Sequence, residues 1–199
     1  MVKQNKDVYA NFKELEKNEV GNYAIECINR GSYITIISPH GGKIEFNTTE
    51  IAKLIAGDSL NYYSFIGKRR NENKKLHITS TNFDEPKALE LVKKSEIVIA
   101  IHGCTDKQGK KENKKDYGKH IFIGGLNEKL KNTLEEALSK TGLSISRERF
   151  PGIEKDNICN RGKRSNGVQF ELSASFRNDA KCCGKFIEIV GGVLLTNAS

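Results

Sequence analysis

The stretch EIVIAIHG (Glu96–Gly103) carries five consecutive apolar residues, four of them β-branched, and then turns polar at His102. A run without alternation is what a strand buried on both faces requires, and such strands belong to parallel sheets covered by helices. Outward from it, short β-branched runs alternate with helical patterns, the signature of an α/β domain. The remaining strand expectations are Tyr23–Ile28, Tyr33–Ser38, Tyr62–Ile66, Leu76–Ser80, Ile121–Ile123, Ser144–Glu148, Val168–Ser173 and Phe186–Leu194. Three helices are expected between them. NTTEIAKLIAG (Asn47–Gly57) has Asn47 as cap, Glu50 three residues on and Gly57 as stop. DEPKALELVKKSE (Asp84–Glu96) starts with acids and Pro86 and ends in lysines, matching the helix dipole. LNEKLKNTLEEALSKTGL (Leu126–Leu143) places Leu130, Leu134 and Leu138 on one face behind Asn127.

A chain of 199 residues with 37% apolar content fits one domain, residues 1–199, with one sizeable core. The start is polar and charged and no run approaches the roughly 20 apolar residues of a membrane span, so a soluble, cytoplasmic, non-membrane protein is expected. Five cysteines without a CxxC pair argue against a structural zinc finger and for reduced thiols. The charge of +8 calls for an anionic partner, an acidic polymer or a small acidic substrate. Nucleic acid is not the expected partner: aromatics are 8%, tryptophan is absent and no binding motif appears. A monomer is favoured. The segment Thr105–Lys119 is the one extended polar loop.

His40 and His102 each end an apolar strand and are each followed by glycine. Ligands of α/β sheets gather at the carboxyl ends of strands. Glu45 follows His40 by five residues, a spacing that fits no helix face but that a Gly-Gly turn could close. Two histidines and a glutamate form the ligand set of a catalytic zinc; packed histidines and a helix-capping glutamate are the plainer alternative. Glu171, inside VQFELS, is either a solvated strand residue or a general base beside such a metal. Arg161, with Asn160 before it and Arg164 after it, offers planar forks suited to a substrate carboxylate or an oxyanion, although an exposed basic loop explains them equally. His77 is placed among the substrate contacts, with a fourth metal ligand and a structural histidine as alternatives. Cys104 as a nucleophile paired with His102 lacks an orienting third group.

The segments SPHGGKIE (Ser38–Glu45), LHITSTNFDEP (Leu76–Pro86), IAIHGC (Ile99–Cys104), IFIGGLN (Ile121–Asn127) and NRGKRSNGVQFELS (Asn160–Ser173) together resemble the poly-γ-glutamate hydrolases of phages and bacilli, distant relatives of the zinc carboxypeptidases. The resemblance spans about Asp7 to Arg177. It implies an open mixed sheet flanked by helices, zinc-carboxypeptidase-like, and hydrolysis of γ-glutamyl amide bonds. It further implies zinc on His40, Glu45 and His102, Glu171 as base, and Asn160-Arg161 as the pair that receives a substrate carboxylate. One feature departs from the carboxypeptidase pattern: four residues, not two, separate the first histidine from the glutamate. Poly-γ-glutamate is extracellular, so a protein without a signal peptide needs lysis or an export route to meet it. A zinc amidohydrolase of small N-acyl acidic amino acids is the nearest alternative, and a non-catalytic basic nucleic-acid-binding domain the alternative from another class.

Overall fold

The computed structural model describes residues 7–108 and 113–196. In chain order the elements are α1 (Phe12–Asn18), β1 (Tyr23–Ile28), β2 (Ile34–Gly42), α2 (Thr48–Ala56), β3 (Asn61–Gly67), α3 (Pro86–Lys94), β4 (Ile97–Cys104), β5 (Lys107–Gln108), β6 (Lys115–Asp116), β7 (Ile121–Gly124), α4 (Glu128–Ser139), β8 (Ile145–Ser146), β9 (Val168–Ser173), α5 (Ala174–Arg177) and α6 (Ala180–Thr196). Seven strands form one mixed sheet in the order β1-β3-β2-β4-β9-β7-β8, and β5 pairs with β6 in a separate ribbon. The central strands β3, β2, β4 and β9 run parallel, while β1 and β7 join antiparallel. The architecture is the α/β, open mixed sheet expected.

Strand β4 explains why its sequence shows no alternation. Ile99 and Ile101 pack into one apolar cluster, with α2, α4 and α6, while Val98 and Ala100 pack into another on the opposite face, with α1 and α3. All four are fully buried. Burial at about 25 cal/mol per Å² of apolar surface makes this strand the anchor of the sheet. The polar residues that follow it are thereby fixed at the sheet's carboxyl edge.

Two strand expectations fail. Phe186–Leu194 is not a strand but the middle of α6, because Phe186, Val190 and Leu194 recur at spacing four and all three are fully buried. Its β-branched residues are outweighed by that stripe. Leu76–Ser80 is also not a strand. A 3-10 turn occupies Asn73–Leu76, and the extended residues after it leave the sheet. Their carbonyls serve other partners: Ile78 O accepts from the His40 ring and Ser80 O from Ile158 N. Helix caps fare better. Asn127 and Glu85 accept from the backbone three residues on, but Asn47 sits at a positive φ of 68° and spends its amide on Arg177 O instead. Expectations for the polar loop at positions 109–112 lie outside the described residues.

Candidate active site

The HGG turn converts an awkward spacing into convergence. Strand β2 pairs in register with β3 through Ser38 and resumes at Gly41, so an irregularity falls at Pro39-His40. Gly42 adopts a φ of +64°, and a Cβ on Gly41 would stand 2.1 Å from Thr49 Oγ1. The chain then closes on itself, with Glu45 N donating to His40 O at 2.9 Å. This returns the Glu45 carboxylate to the histidine it follows by five residues, and Oε1 stands 3.3 Å from His40 Nδ1.

His102 arrives from β4. Its Nδ1 is 3.1 Å from His40 Nδ1 and 3.9 Å from Glu45 Oε2. Both rings are almost completely buried. His40 Nε2 lies 2.8 Å from Ile78 O. A carbonyl only accepts, so this nitrogen carries a hydrogen and the Nδ1 lone pair of the neutral ring faces the other two groups. His102 Nε2 contacts Ser80 Oγ at 3.3 Å. Glu45 Oε2 accepts from Gly103 N at 2.7 Å. Each donor is thus oriented from behind by a second contact, as metal-binding side chains are.

The electrostatics call for a cation at the point of convergence. Burial, the largest influence, pushes His102 down, and His40 adds to it, leaving it near 3 and neutral. Burial also pushes His40 down, but the Glu45 charge and hydrogen bond outweigh it and hold His40 above its ordinary value. Burial pushes Glu45 up, and the neighbouring histidines overcome this and hold it down to about 2. Glu45 thus favours positive charge at the point of convergence, where a metal ion would stand. Ligands about 2.0–2.1 Å from a tetrahedral zinc stand about 3.3 Å from one another. His40 Nδ1 stands at about that separation from His102 Nδ1 and Glu45 Oε1, while the other Glu45 oxygen is 3.9 Å from His102 Nδ1, so these nitrogen and oxygen donors suit such an ion.

His77 completes a second, overlapping cluster with His40 and Glu45, whose ligand atoms lie within 4.8 Å of one another. Its ring stacks on His40 with centroids 4.0 Å apart, and its Nδ1 is held by Asp7 at 2.8 Å. It lines the rim of a cleft of about 390 Å³ together with Lys43, Glu45, Lys74, Gly103 and Arg177. A cavity of similar size, about 400 Å³, lies between β1 and α3, but no histidine lines it.

Glu171 stands beside His102 because β4 and β9 run parallel with those residues in register, which puts both side chains on one face. Among the described residues, no side-chain hydrogen bond engages its carboxylate. Burial and then the Glu45 charge raise its pKa well above the ordinary carboxyl value, with Arg177 opposing. A carboxyl with this environment is suited to exchanging protons. Cys104 is unsuited to attack, since burial and the Glu171 charge push its thiol far up.

The basic segment expected to meet substrate is spent on structure. Asn160 is buried; its amide donates to Gly152 O and Glu154 O and its Oδ1 accepts from Gly167 N. Arg161 donates to the carbonyls of Asp156, Phe83 and Thr81, pinning a loop. Arg164 is a surface residue paired with Glu96. None of the three lines the cleft. The cation that does so most deeply is Arg177, at 8% exposure, a residue that no sequence motif marked.

The α/β fold and the family match together support a hydrolase. The model of the poly-gamma-glutamate hydrolase family matches residues 9–181, and the chain belongs to that family. It is 35% identical over 177 residues to the Bacillus subtilis (strain 168) protein YmaC, covering 86% of this chain and 71% of that protein. It superposes on the structure of a bacteriophage poly-gamma-glutamate hydrolase with a TM-score of 0.87 at 30% identity, covering 96% of this chain and 98% of that one. A zinc-free apo structure of the Bacillus subtilis (strain 168) protein YndL matches with a TM-score of 0.86 at 29% identity, over 96% and 99% of the two chains. The chain spans 61% to 71% of the length of the curated relatives it matches. Among the described residues, no helix is long and apolar enough to cross a membrane.

Proposed function

We propose that the chain is a zinc-dependent hydrolase of γ-glutamyl amide bonds, with His40, Glu45 and His102 as ligands, Glu171 as base and poly-γ-glutamate as substrate. The observation that carries this reading is the convergence of two imidazole nitrogens and a carboxylate within 3.1 to 3.9 Å. The zinc-free description of the YndL structure fits the choice of ion. A zinc ion there supplies a Lewis acid that acidifies water and polarises a carbonyl. Everything else falls to the chain. Glu171 takes the proton from the attacking water and delivers it to the departing amine. His77, held by Asp7, lines the cleft beside His40 and offers a contact to substrate. Arg177 supplies positive charge close to Glu171. Lys43 and Lys74 are exposed on the cleft rim and engage no acid among the described residues, which complements a polyanion.

The test is incubation with poly-γ-glutamate and with a small N-acyl glutamate. Progressive shortening of the polymer on a gel, slowed by added salt, is expected. A polymer of unchanged length beside rapid cleavage of the small amide would assign the site to small acidic amides instead.

A further inference from the structure

One guanidinium touches all three segments that bring the site together. Arg177 follows β9 on the short helix α5 and is 8% exposed. Its Nε donates to Leu172 O at 3.0 Å, one Nη to Phe46 O and the other Nη to Cys104 O at 3.2 Å. Phe46 is the residue after Glu45, Leu172 the residue after Glu171, and Cys104 the second residue after His102. Its own carbonyl accepts from Asn47 Nδ2, tying the same β2–α2 turn a second time. No carboxylate pairs with this guanidinium among the described residues. Burying a charge without an ion-pair partner is costly, and the three backbone carbonyls offset part of that cost by hydrogen bonding.

Strands β4 and β9 are already paired in register from Ile99–Val168 to Cys104–Ser173, so the segment left to be fixed is the turn into α2. The turn carrying Glu45 is joined to the end of β4 by Glu45 Oε2 and Gly103 N, and by the Arg177 fork. A planar fork with donors at fixed angles can hold three carbonyls at set separations, whereas an ammonium cannot. Gly103 completes the arrangement. A Cβ added there would lie 2.5 Å from Arg177 Cζ and 2.7 Å from its Nε, so the guanidinium lies against the backbone where any side chain would stand.

We infer that Arg177 is the positioning residue of this site: through the carbonyls of Phe46, Cys104 and Leu172, it sets where Glu45 stands relative to the paired His102 and Glu171. It acts through these groups rather than on the reacting atoms. The inference rests on the proposed zinc hydrolase reading. Gly103 is the glycine of the HGC segment, and the Arg177 guanidinium gives a physical reason for a glycine at that position.

The variant that isolates this role is Gly103→Ala. Its backbone φ is ordinary, and the atoms in the way belong to the Arg177 side chain rather than to backbone, so the guanidinium is what must move. A displacement near 1 Å costs on the order of 10²-fold in rate. Turnover of poly-γ-glutamate by the zinc-loaded variant is expected to lose about 10- to 100-fold in kcat with KM within about threefold. The visible absorption bands of the cobalt(II)-substituted variant should shift, because the ligand geometry has changed. Arg177→Lys, which keeps the charge but not the fork, should lose at least as much. A melting temperature that falls while kcat and the cobalt bands stay at wild-type values would overturn the inference and leave Arg177 a purely structural residue. Should Arg177→Lys fail to fold, Gly103→Ala decides alone. Wild-type protein that binds no zinc and leaves the polymer intact would instead overturn the underlying reading, an outcome read before any variant is compared.

Discussion

Glu171→Gln is expected to retain its zinc and to lose about 10²- to 10⁴-fold in kcat, the contribution of a positioned general base. Glutamine keeps the shape of the side chain at its register position beside His102 but accepts no proton. Ligand geometry is untouched, because Glu45, His40 and His102 find their orienting partners elsewhere. The measurement is steady-state hydrolysis of poly-γ-glutamate with zinc content determined on the same sample. Turnover within a few-fold of wild type would remove Glu171 from the mechanism. The same substitution has a second consequence in the metal-free protein. Burial raises the pKa of Glu171 in the folded state. Below about pH 4, the ordinary carboxyl range, both states hold the proton and nothing is lost. Above it the unfolded chain ionises while the folded one stays protonated, so folding is penalised increasingly. Metal-free Glu171→Gln should therefore melt above metal-free wild type, by a margin larger at about pH 7 than at about pH 4.

Removal of the metal should abolish activity without unfolding the chain, and zinc should restore it. The donors are held together by the fold, with Glu45 Oε1 3.3 Å from His40 Nδ1 and Gly103 N donating to Oε2. The surrounding core is built from apolar side chains on both sheet faces and includes none of the three donors. Reloading adds binding energy to the folded state alone. At free zinc about 1,000 times its Kd the gain is about 4 kcal/mol, or roughly 8–16 °C for a domain of this size. Thermal unfolding with and without chelator, followed by zinc, measures it. Activity that survives exhaustive chelation would sink the zinc dependence.

Which parts of this arrangement are legible in the sequence follows from how local their causes are. Strands β1 and β9 coincide with their expected limits because turn signals bound their apolar patterns. His40 and His102 are readable because strand ends and following glycines are local signals. Glu45 is less so: its approach to His40 depends on an irregularity in β2, a positive φ at Gly42 and the Glu45 N to His40 O bond. Helix α6 misleads because its isoleucines and valines favour strands locally, while a buried stripe at spacing four decides the outcome. Arg161 misleads in the opposite way. It lies near Glu171 in sequence, yet its donors are spent on carbonyls up to 80 residues away. Arg177 is invisible for the same reason, since two of its three acceptors are 73 and 131 residues distant.

The choice between the two overlapping histidine sets is the most direct test of the central claim. His102 faces His40 Nδ1 and Glu45, whereas His77 stacks on His40 and is turned by Asp7. Zinc content after extensive dialysis, measured on His102→Ala and His77→Ala beside wild type, separates them. Loss of zinc from His102→Ala with retention in His77→Ala is predicted. Retention in His102→Ala would contradict the metal centre of His40, Glu45 and His102.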